Sequence, residues 1–392
     1  MKLLYLLRYW PIFGGGETVT RTLANEMCRR GHNVGVVYLW DRTNDTDAGL
    51  NVNIKNIKIE NIENVKDGTI PKREYKKLTQ GLKTVFHSYS PDVIINQWLP
   101  SELVWRAARG MGVKVIKCHH SIIKYVPHIT TLKQKVFYTV FGDRAGWLRV
   151  YPELRRDYIY SDKWIFLSES SRNDGKYLMK GCDEDRLGVI TNPLPYKVEK
   201  SKINISNKKK EVVFVGRIVP LKRLGYLLEA WKMIEDKIPD WTFRIVGDGD
   251  CIEQEKNKAK ELHIKNVQFM GYQDPKRYLM EDSFLLMASN QEGFGMVLIE
   301  AQQCGCVPVV VDSYATVHDI IEDKVNGILV ENNNVQKYAE ILLHAILDDN
   351  MRQQMAQRAM ESSEKYSVVE ICNQWEKLFD DIEIKRKSRV LF

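Results

Sequence analysis

Four short segments of this chain bring together residue types able to do chemistry. Val215-Gly216-Arg217-Ile218-Val219-Pro220-Leu221-Lys222 sets a glycine and two cations just beyond an apolar run at residues 212–215. Such a loop after a parallel strand suits a diphosphate. Two fixed cations there stabilise charge developing on a phosphate leaving group without a metal. Gln291-Glu292-Gly293-Phe294-Gly295 precedes a helical pattern that starts near Met296 and carries Glu300 in its second turn. Glycines on both sides of Phe294 expose backbone N–H groups at a helix N-terminus. Glu292 and Glu300 can each accept two hydrogen bonds from vicinal hydroxyls, as carboxylates in ribose and hexose sites do.

The other two segments are weaker signals. Gly14-Gly15-Gly16-Glu17 lies between the first apolar run and the first helical pattern. Backbone N–H groups could approach an anion there, although a tight turn accounts for the glycines equally well. The spacing does not fit Gly-x-Gly-x-x-Gly, which argues against a nicotinamide enzyme. Cys118-His119-His120 ends another apolar run. Adjacent strand residues point to opposite faces, so only one of the two histidines can face a site and a metal pair is not expected.

The elements that must position these residues read as strands alternating with helices. Residues 3–7 form an apolar run, Val19, Leu23 and Met27 mark one helix face, Gly31 ends that helix, and residues 34–39 make the next strand. Further strands are predicted at residues 93–96, 113–118, 164–167 and 189–190. Thr191-Asn192-Pro193-Leu194-Pro195 stops regular structure, and the polar stretch through Asn207-Lys208-Lys209-Lys210 reads as an interdomain linker. A second series follows at residues 212–215, 242–246, 267–270, 284–287 and 307–311, with Leu224, Leu227, Leu228, Trp231 and Ile234 on one helix face. Two parallel sheets with helices on both faces are expected. Asp248-Gly249-Asp250 could pass for a metal-binding pair, but its place in a turn after residues 243–246 reads as structural or base-adjacent.

Composition narrows the function classes. The chain has 392 residues, 44% hydrophobic and 28% charged, as expected of two globular domains. No apolar run approaches the ~20 residues of a membrane span, and Arg8 interrupts the N-terminal run before any leader pattern appears. Seven scattered cysteines, without zinc spacing, predict free thiols in a cytoplasmic protein. The net charge of +7 divides unevenly: residues 1–196 carry +10 and the remainder −3. A basic first domain points to an anionic partner. Nucleic acid is disfavoured, because basic and aromatic residues do not interleave.

Taken together, the segments resemble glycosyltransferase family 4, the retaining sugar-nucleotide transferases of the glycosyltransferase-B fold, nearly end to end. The most specific match is Glu292 to Glu300 around the Gly-Phe-Gly core, with Gly216-Arg217 and Lys222. Val325-Asn326-Gly327-Ile328-Leu329-Val330 and the closing helix around Trp375 also resemble family stretches. The resemblance implies two Rossmann-like, doubly wound α/β domains facing across a cleft: an acceptor-side domain at 1–196, a sugar-nucleotide domain at 197–366, and a helix at 367–392 crossing back. It implies that Arg217 and Lys222 neutralise the leaving diphosphate. Glu292, with the backbone of Phe294 and Gly295, would hold the transferred sugar, and Glu300 the nucleotide ribose. Gly15 and Gly16 would approach the phosphate, and His119 would contact the sugar unless His120 holds that place.

The implied activity is retaining transfer of a hexose or N-acetylhexosamine from a nucleotide-diphosphate sugar, most simply a UDP-sugar. The acceptor would be a glycan or lipid-linked glycan of a surface polysaccharide, lipopolysaccharide or capsule. No cofactor and no divalent metal are expected, and the basic domain predicts peripheral contact with the anionic inner face of the cell membrane. A sugar-nucleotide epimerase or hydrolase on the same fold is the alternative. Arg223 stands where many family members have glycine after the lysine, and Thr191-Asn192-Pro193 replaces a common Asn-Gly turn.

Overall fold

The computed structural model describes residues 1–10, 15–41, 49–65, 69–121, 123 and 144–390. The chain divides into two units: Met1–Pro195 together with Val368–Phe392, and Tyr196–Ser367.

The first unit runs β1 (Lys2–Leu6), α1 (Gly15–Arg29), β2 (Asn33–Tyr38), β3 (Lys55–Lys58), α2 (Tyr75–Tyr89), β4 (Val93–Asn96), α3 (Ser101–Ala108), β5 (Lys114–His119), α4 (Arg144–Ile159), β6 (Lys163–Phe166), α5 (Glu169–Leu178) and β7 (Leu187–Val189). The second runs β8 (Lys209–Val215), α6 (Leu224–Lys232), β9 (Thr242–Val246), α7 (Ile252–Glu261), β10 (Val267–Gly271), α8 (Pro275–Glu281), β11 (Asp282–Met287), α9 (Met296–Gln303), β12 (Val307–Asp312), β13 (Ile328–Glu331), α10 (Val335–Leu347) and α11 (Asp349–Ser363). The last helix, α12 (Val368–Val390), belongs to the first unit.

Both sheets are parallel in every pairing, with orders β3-β2-β1-β4-β5-β6-β7 and β10-β9-β8-β11-β12-β13. Strands covered by helices on both faces read as continuous apolar runs, and β1, β4 and β11 are buried along nearly their whole length. Strand order reverses between β1 and β4 in one sheet and between β8 and β11 in the other. Loops leaving the carboxyl ends on either side of such a reversal diverge and open a crevice, which is where open α/β sheets bind ligands.

In the first unit, Val19, Leu23 and Met27 bury the inner face of α1. Helix α12 packs against α1 through Ile371, Cys372, Trp375 and Phe379. Arg30 fastens the pair, donating to Asn373 Oδ1 and the Val369 carbonyl, both at 2.8 Å, while pairing with Glu376. The core of the second unit gathers Val212, Phe214, Leu227, Trp231, Phe243, Phe284, Val309 and Tyr338 around its sheet.

Three sequence expectations need adjustment. Strand β3, Lys-Asn-Ile-Lys, was not expected; it is an edge strand, half exposed, so it lacks the apolar run of its neighbours. Strand β13 overlaps the family-like stretch at 325–330, which the periodicity did not mark as a strand. The polar stretch read as a linker is packed structure of the second unit. Val198 is buried with its N–H on Gln303 Oε1 at 3.0 Å, and Lys208 Nζ donates to the Leu279 and Cys304 carbonyls at 2.8 and 2.7 Å. A lysine can bury its stem while its amine finds carbonyl partners, so charge in a sequence does not by itself mark a free segment.

Candidate functional site

In the second unit the two loops flanking the β8/β11 reversal carry the charged residues singled out in the sequence. After β8 the chain turns at Gly216, whose φ of 153° suits glycine, and passes Arg217 before a 3-10 turn at Pro220–Lys222. Gly216 accommodates a second close approach. The turn after β9 crosses it so tightly that a Cβ on Gly247 would stand 1.9 Å from the Gly216 carbonyl oxygen. Ile218 N–H donates to the Asp248 carbonyl at 2.8 Å, which laces the two turns together. Asp248 itself accepts from the Gly249 N–H at 2.7 Å, the structural role its turn position suggests.

After β11 the chain reaches Glu292, Phe294 and Gly295. Gly295 has φ 89° and immediately precedes α9, and Phe294 is buried edge-on against Tyr366 with ring centroids 5.8 Å apart. Lys222 Nζ forms an ion pair with Glu292, two residues 70 apart in sequence. Both side chains keep access to solvent, at 20% and 15% exposure. Arg217 is exposed, and its guanidinium has no hydrogen-bond or ion-pair partner among the described residues. A lysine paired with a carboxylate, and an unpaired arginine in the same loop as that lysine, are groups that can receive a phosphate bearing a hydroxylated group.

Glu300, on α9, accepts from the Tyr196 hydroxyl at 3.4 Å, and Lys276 Nζ sits over the Tyr196 ring at 4.9 Å. Burial pushes the Glu300 carboxyl up to about 7, with Asp274 adding to the rise and the Tyr196 hydrogen bond opposing it. The native state therefore holds this proton to higher pH than the unfolded chain, whose carboxyl titrates near 4.5. The Glu300 contribution to stability should accordingly decline as pH rises from about 4.5 to 7. The charged form is the better acceptor for hydroxyl donors, so a hydroxylated ligand held by Glu300 should bind more tightly across the upper part of that window. Glu300→Gln should flatten both curves. Titrating UDP at several pH values with both proteins checks it, and equal slopes would count against Glu300 as a ligand.

The first unit forms a separate group at the reversal between β1 and β4. Gly15 and Gly16 open α1; Gly14 lies outside the described residues. A Cβ on Gly16 would meet the Trp98 indole at 3.0 Å, so glycine lets the helix start settle on that ring. His120 stacks on Trp98 with centroids 5.0 Å apart and pairs through Nε2 with Gln97 Oε1. The strand alternation separates the two histidines as expected. His119 points into the unit, edge-on to Trp164 at 5.9 Å, and is 7% exposed with its Nε2 unpartnered. Burial lowers His119 to about 4 and His120 to about 3, with Lys117 contributing to both, so both imidazoles are neutral at pH 7. Residues 122 and 124–143 of the basic first domain lie outside the described residues.

Gln97, Trp98 and Tyr196 were not singled out from sequence. A signal existed for the first two: a polar residue and an indole directly after the buried strand β4 stand where ligands bind in such sheets. Tyr196 carried none, since its partner lies 104 residues away.

Comparison with known proteins gives this arrangement its context. The family model described as Glycosyltransferase Family 4 matches residues 13–196, and that described as Glycosyl transferases group 1 matches residues 196–362. The chain belongs to the family 4 glycosyltransferases. An uncharacterized glycosyltransferase of Haemophilus influenzae is 31% identical over 55% of this chain and 60% of its own length. Poly(glycerol-phosphate) alpha-glucosyltransferase of Bacillus subtilis is 24% identical over 57% of this chain and 33% of its own length. This glycosyltransferase thus spans only part of those two relatives. N-acetyl-alpha-D-glucosaminyl L-malate synthase of Bacillus anthracis is 28% identical over 97% of this chain and 98% of its own. Among solved structures, Staphylococcus aureus TarM superposes with a TM-score of 0.74 at 15% identity, covering 96% of this chain and 99% of TarM. Anabaena HepE gives 0.70 at 20% identity over 97% of this chain and 100% of HepE. At such identities the likeness concerns the fold: this glycosyltransferase has the glycosyltransferase-B fold.

Proposed function

We propose that this glycosyltransferase moves a hexose or N-acetylhexosamine from a UDP-sugar to a glycan or lipid-linked glycan of a surface polysaccharide, with retention of configuration and without a metal ion. The observation that carries the reading is the Lys222–Glu292 pair, with unpartnered Arg217 in the same loop as Lys222, at the strand reversal of the second unit. In the reaction the bond from C1 of the sugar to the β-phosphate oxygen breaks, and the acceptor oxygen bonds C1 on the same face. The acceptor proton passes to the departing phosphate oxygen. Charge develops on that phosphate, where Arg217 and Lys222 stabilise it, and no general base is required. Glu292 and the backbone at Phe294 and Gly295 hold the sugar, and Glu300 holds the ribose. In the first unit His120, kept neutral and aimed by Gln97, serves sugar or acceptor hydroxyls better than buried His119. Gly15 and Gly16 serve the phosphate. The names of related structures favour uridine: HepE was solved with UDP and glucose, and the pneumococcal transferase GtfA with UDP and GlcNAc.

Thermal unfolding against a panel of nucleoside diphosphates and nucleotide sugars, with magnesium or with chelator, tests the donor. A selective UDP shift that survives chelation is expected, since a ligand of the folded state raises the melting temperature. A folded protein that no nucleotide shifts would overturn the reading. The anomeric configuration of the product, read by NMR, tests retention, and an isomerised donor or a free altered sugar would point to the epimerase or hydrolase. Among the described residues no helix is long and apolar enough to cross a membrane. The +10 charge of residues 1–196 nevertheless supports peripheral contact with anionic lipid. Binding to anionic vesicles that high salt abolishes is expected, and equal binding to neutral vesicles would refute it.

A further inference from the structure

Arg223 follows Lys222 and occupies an unfavourable backbone conformation, φ 51° and ψ 43°, in the left-handed region that glycine adopts freely. Something must hold an arginine there, and its side chain shows what does. Nη1 donates to Asn290 Oδ1 and Asn332 Oδ1, both at 2.8 Å, and Nη2 to Asn333 Oδ1 at 3.3 Å. The guanidinium also lies over the Tyr226 ring, 4.6 Å from its centroid. These partners come from three places. Tyr226 is on α6, Asn290 is in the loop after β11 two residues before Glu292, and Asn332 and Asn333 follow β13. A backbone bond from the Asn290 N–H to the Leu221 carbonyl, at 2.9 Å, ties the first two loops at the level of Lys222.

We infer that Arg223 is a positioning residue: it clamps the loops after β8, β11 and β13 so that Lys222 and Glu292 meet in one geometry. The inference rests on the proposed role of that pair at the donor. All of the clamp's acceptors are neutral amides, and no carboxylate pairs with Arg223 among the described residues. The planar fork reaches several carbonyl oxygens at once, which a lysine ammonium on a flexible stem does not reproduce. Glycine would relieve the backbone and remove the clamp. A lysine whose direction is no longer set is a poor match for charge that appears only as the phosphate departs.

The test uses the full chain and three substitutions, Arg223→Gly, Arg223→Lys and Asn332→Ala, with UDP release from UDP-sugar as the turnover assay. Arg223→Gly should retain its melting temperature, keep the donor KM within about threefold, and lose about 10- to 100-fold in kcat. Lysine should not restore it, and Asn332→Ala should show a smaller loss in the same direction. Pulse acylation of amines, read by mass spectrometry, reports the geometry independently of turnover: Lys222 should react about threefold faster in Arg223→Gly, as expected when an ion pair loosens. Unchanged kcat and unchanged Lys222 labelling in folded Arg223→Gly would overturn the inference. If Arg223→Gly does not fold, Asn332→Ala decides by the same two readings. A wild-type protein that binds no nucleotide would refute the donor reading, while the labelling result would still decide whether Arg223 positions the pair.

Discussion

Lys222→Ala is expected to lower sugar-transfer turnover by about 10²- to 10³-fold, the range for losing one preorganised charge aimed at a developing anion. Two effects compete in that substitution. Removing the amine leaves Glu292 without its ion-pair partner, but at 15% exposure that carboxylate still reaches water and the stability change should stay at about 1–3 kcal/mol. The loss of charge at the phosphate has no such relief, so the kinetic effect dominates. The UDP-induced shift in melting temperature should shrink as well. Lys237→Ala, in the exposed turn before β9, should change neither reading. UDP release measured at saturating donor distinguishes the two, and a Lys222→Ala enzyme within threefold of wild type would remove Lys222 from the chemistry.

Gly247→Ala is expected to be the most destabilising single methyl group in the second unit, at about 3–5 kcal/mol. The new Cβ would stand 1.9 Å from the Gly216 carbonyl oxygen, and φ at this position is 144°. The obstacle is backbone, so no rotamer change relieves it, and either the β9 turn or the Gly216-Arg217 turn must move. Movement of the second turn displaces Arg217 and the loop proposed to hold the phosphate, so any folded fraction should also bind UDP weakly. Gly271→Ala is the control: φ there is 69°, but nothing lies within 4 Å of the added carbon. Only the left-handed penalty of about 1–2 kcal/mol should appear. Denaturant midpoints of the two variants measure the difference, and equal values would mean that the close crossing of the two turns carries no weight.

Much of this was legible along the chain because it depends on local pattern. Continuous apolar runs such as Val-Val-Phe-Val in β8 and Phe-Leu-Leu-Met in β11 report strands buried on both faces, and the four-residue recurrence of Val19, Leu23 and Met27 reports the inner face of α1. Strands and helices in alternation then require parallel sheets. Elements at the margins were less visible. An edge strand such as β3 has one exposed flank, and the Lys208 stretch hides a buried amine behind a polar composition.

The candidate site divides in the same way. Residue type and spacing by themselves determined that a glycine, two cations and two carboxylates lie in loops beside parallel strands, and hence that a phosphorylated, hydroxylated ligand suits them. Only the tertiary structure decided which of those groups meet. The reversal of strand order between β8 and β11 makes neighbours of loops 70 residues apart and pairs Lys222 with Glu292. The same reversal in the first sheet sets Gly16 over Trp98, and the packing of β5 turns His119 into the unit and leaves His120 less buried at the strand end. Arg223 is the sharpest instance: in sequence it is a glycine missing from a loop, and in the fold it is the clamp on that loop. Local pattern is set by contacts within a few residues, whereas pairing across a sheet depends on strand order, which no short stretch of sequence contains.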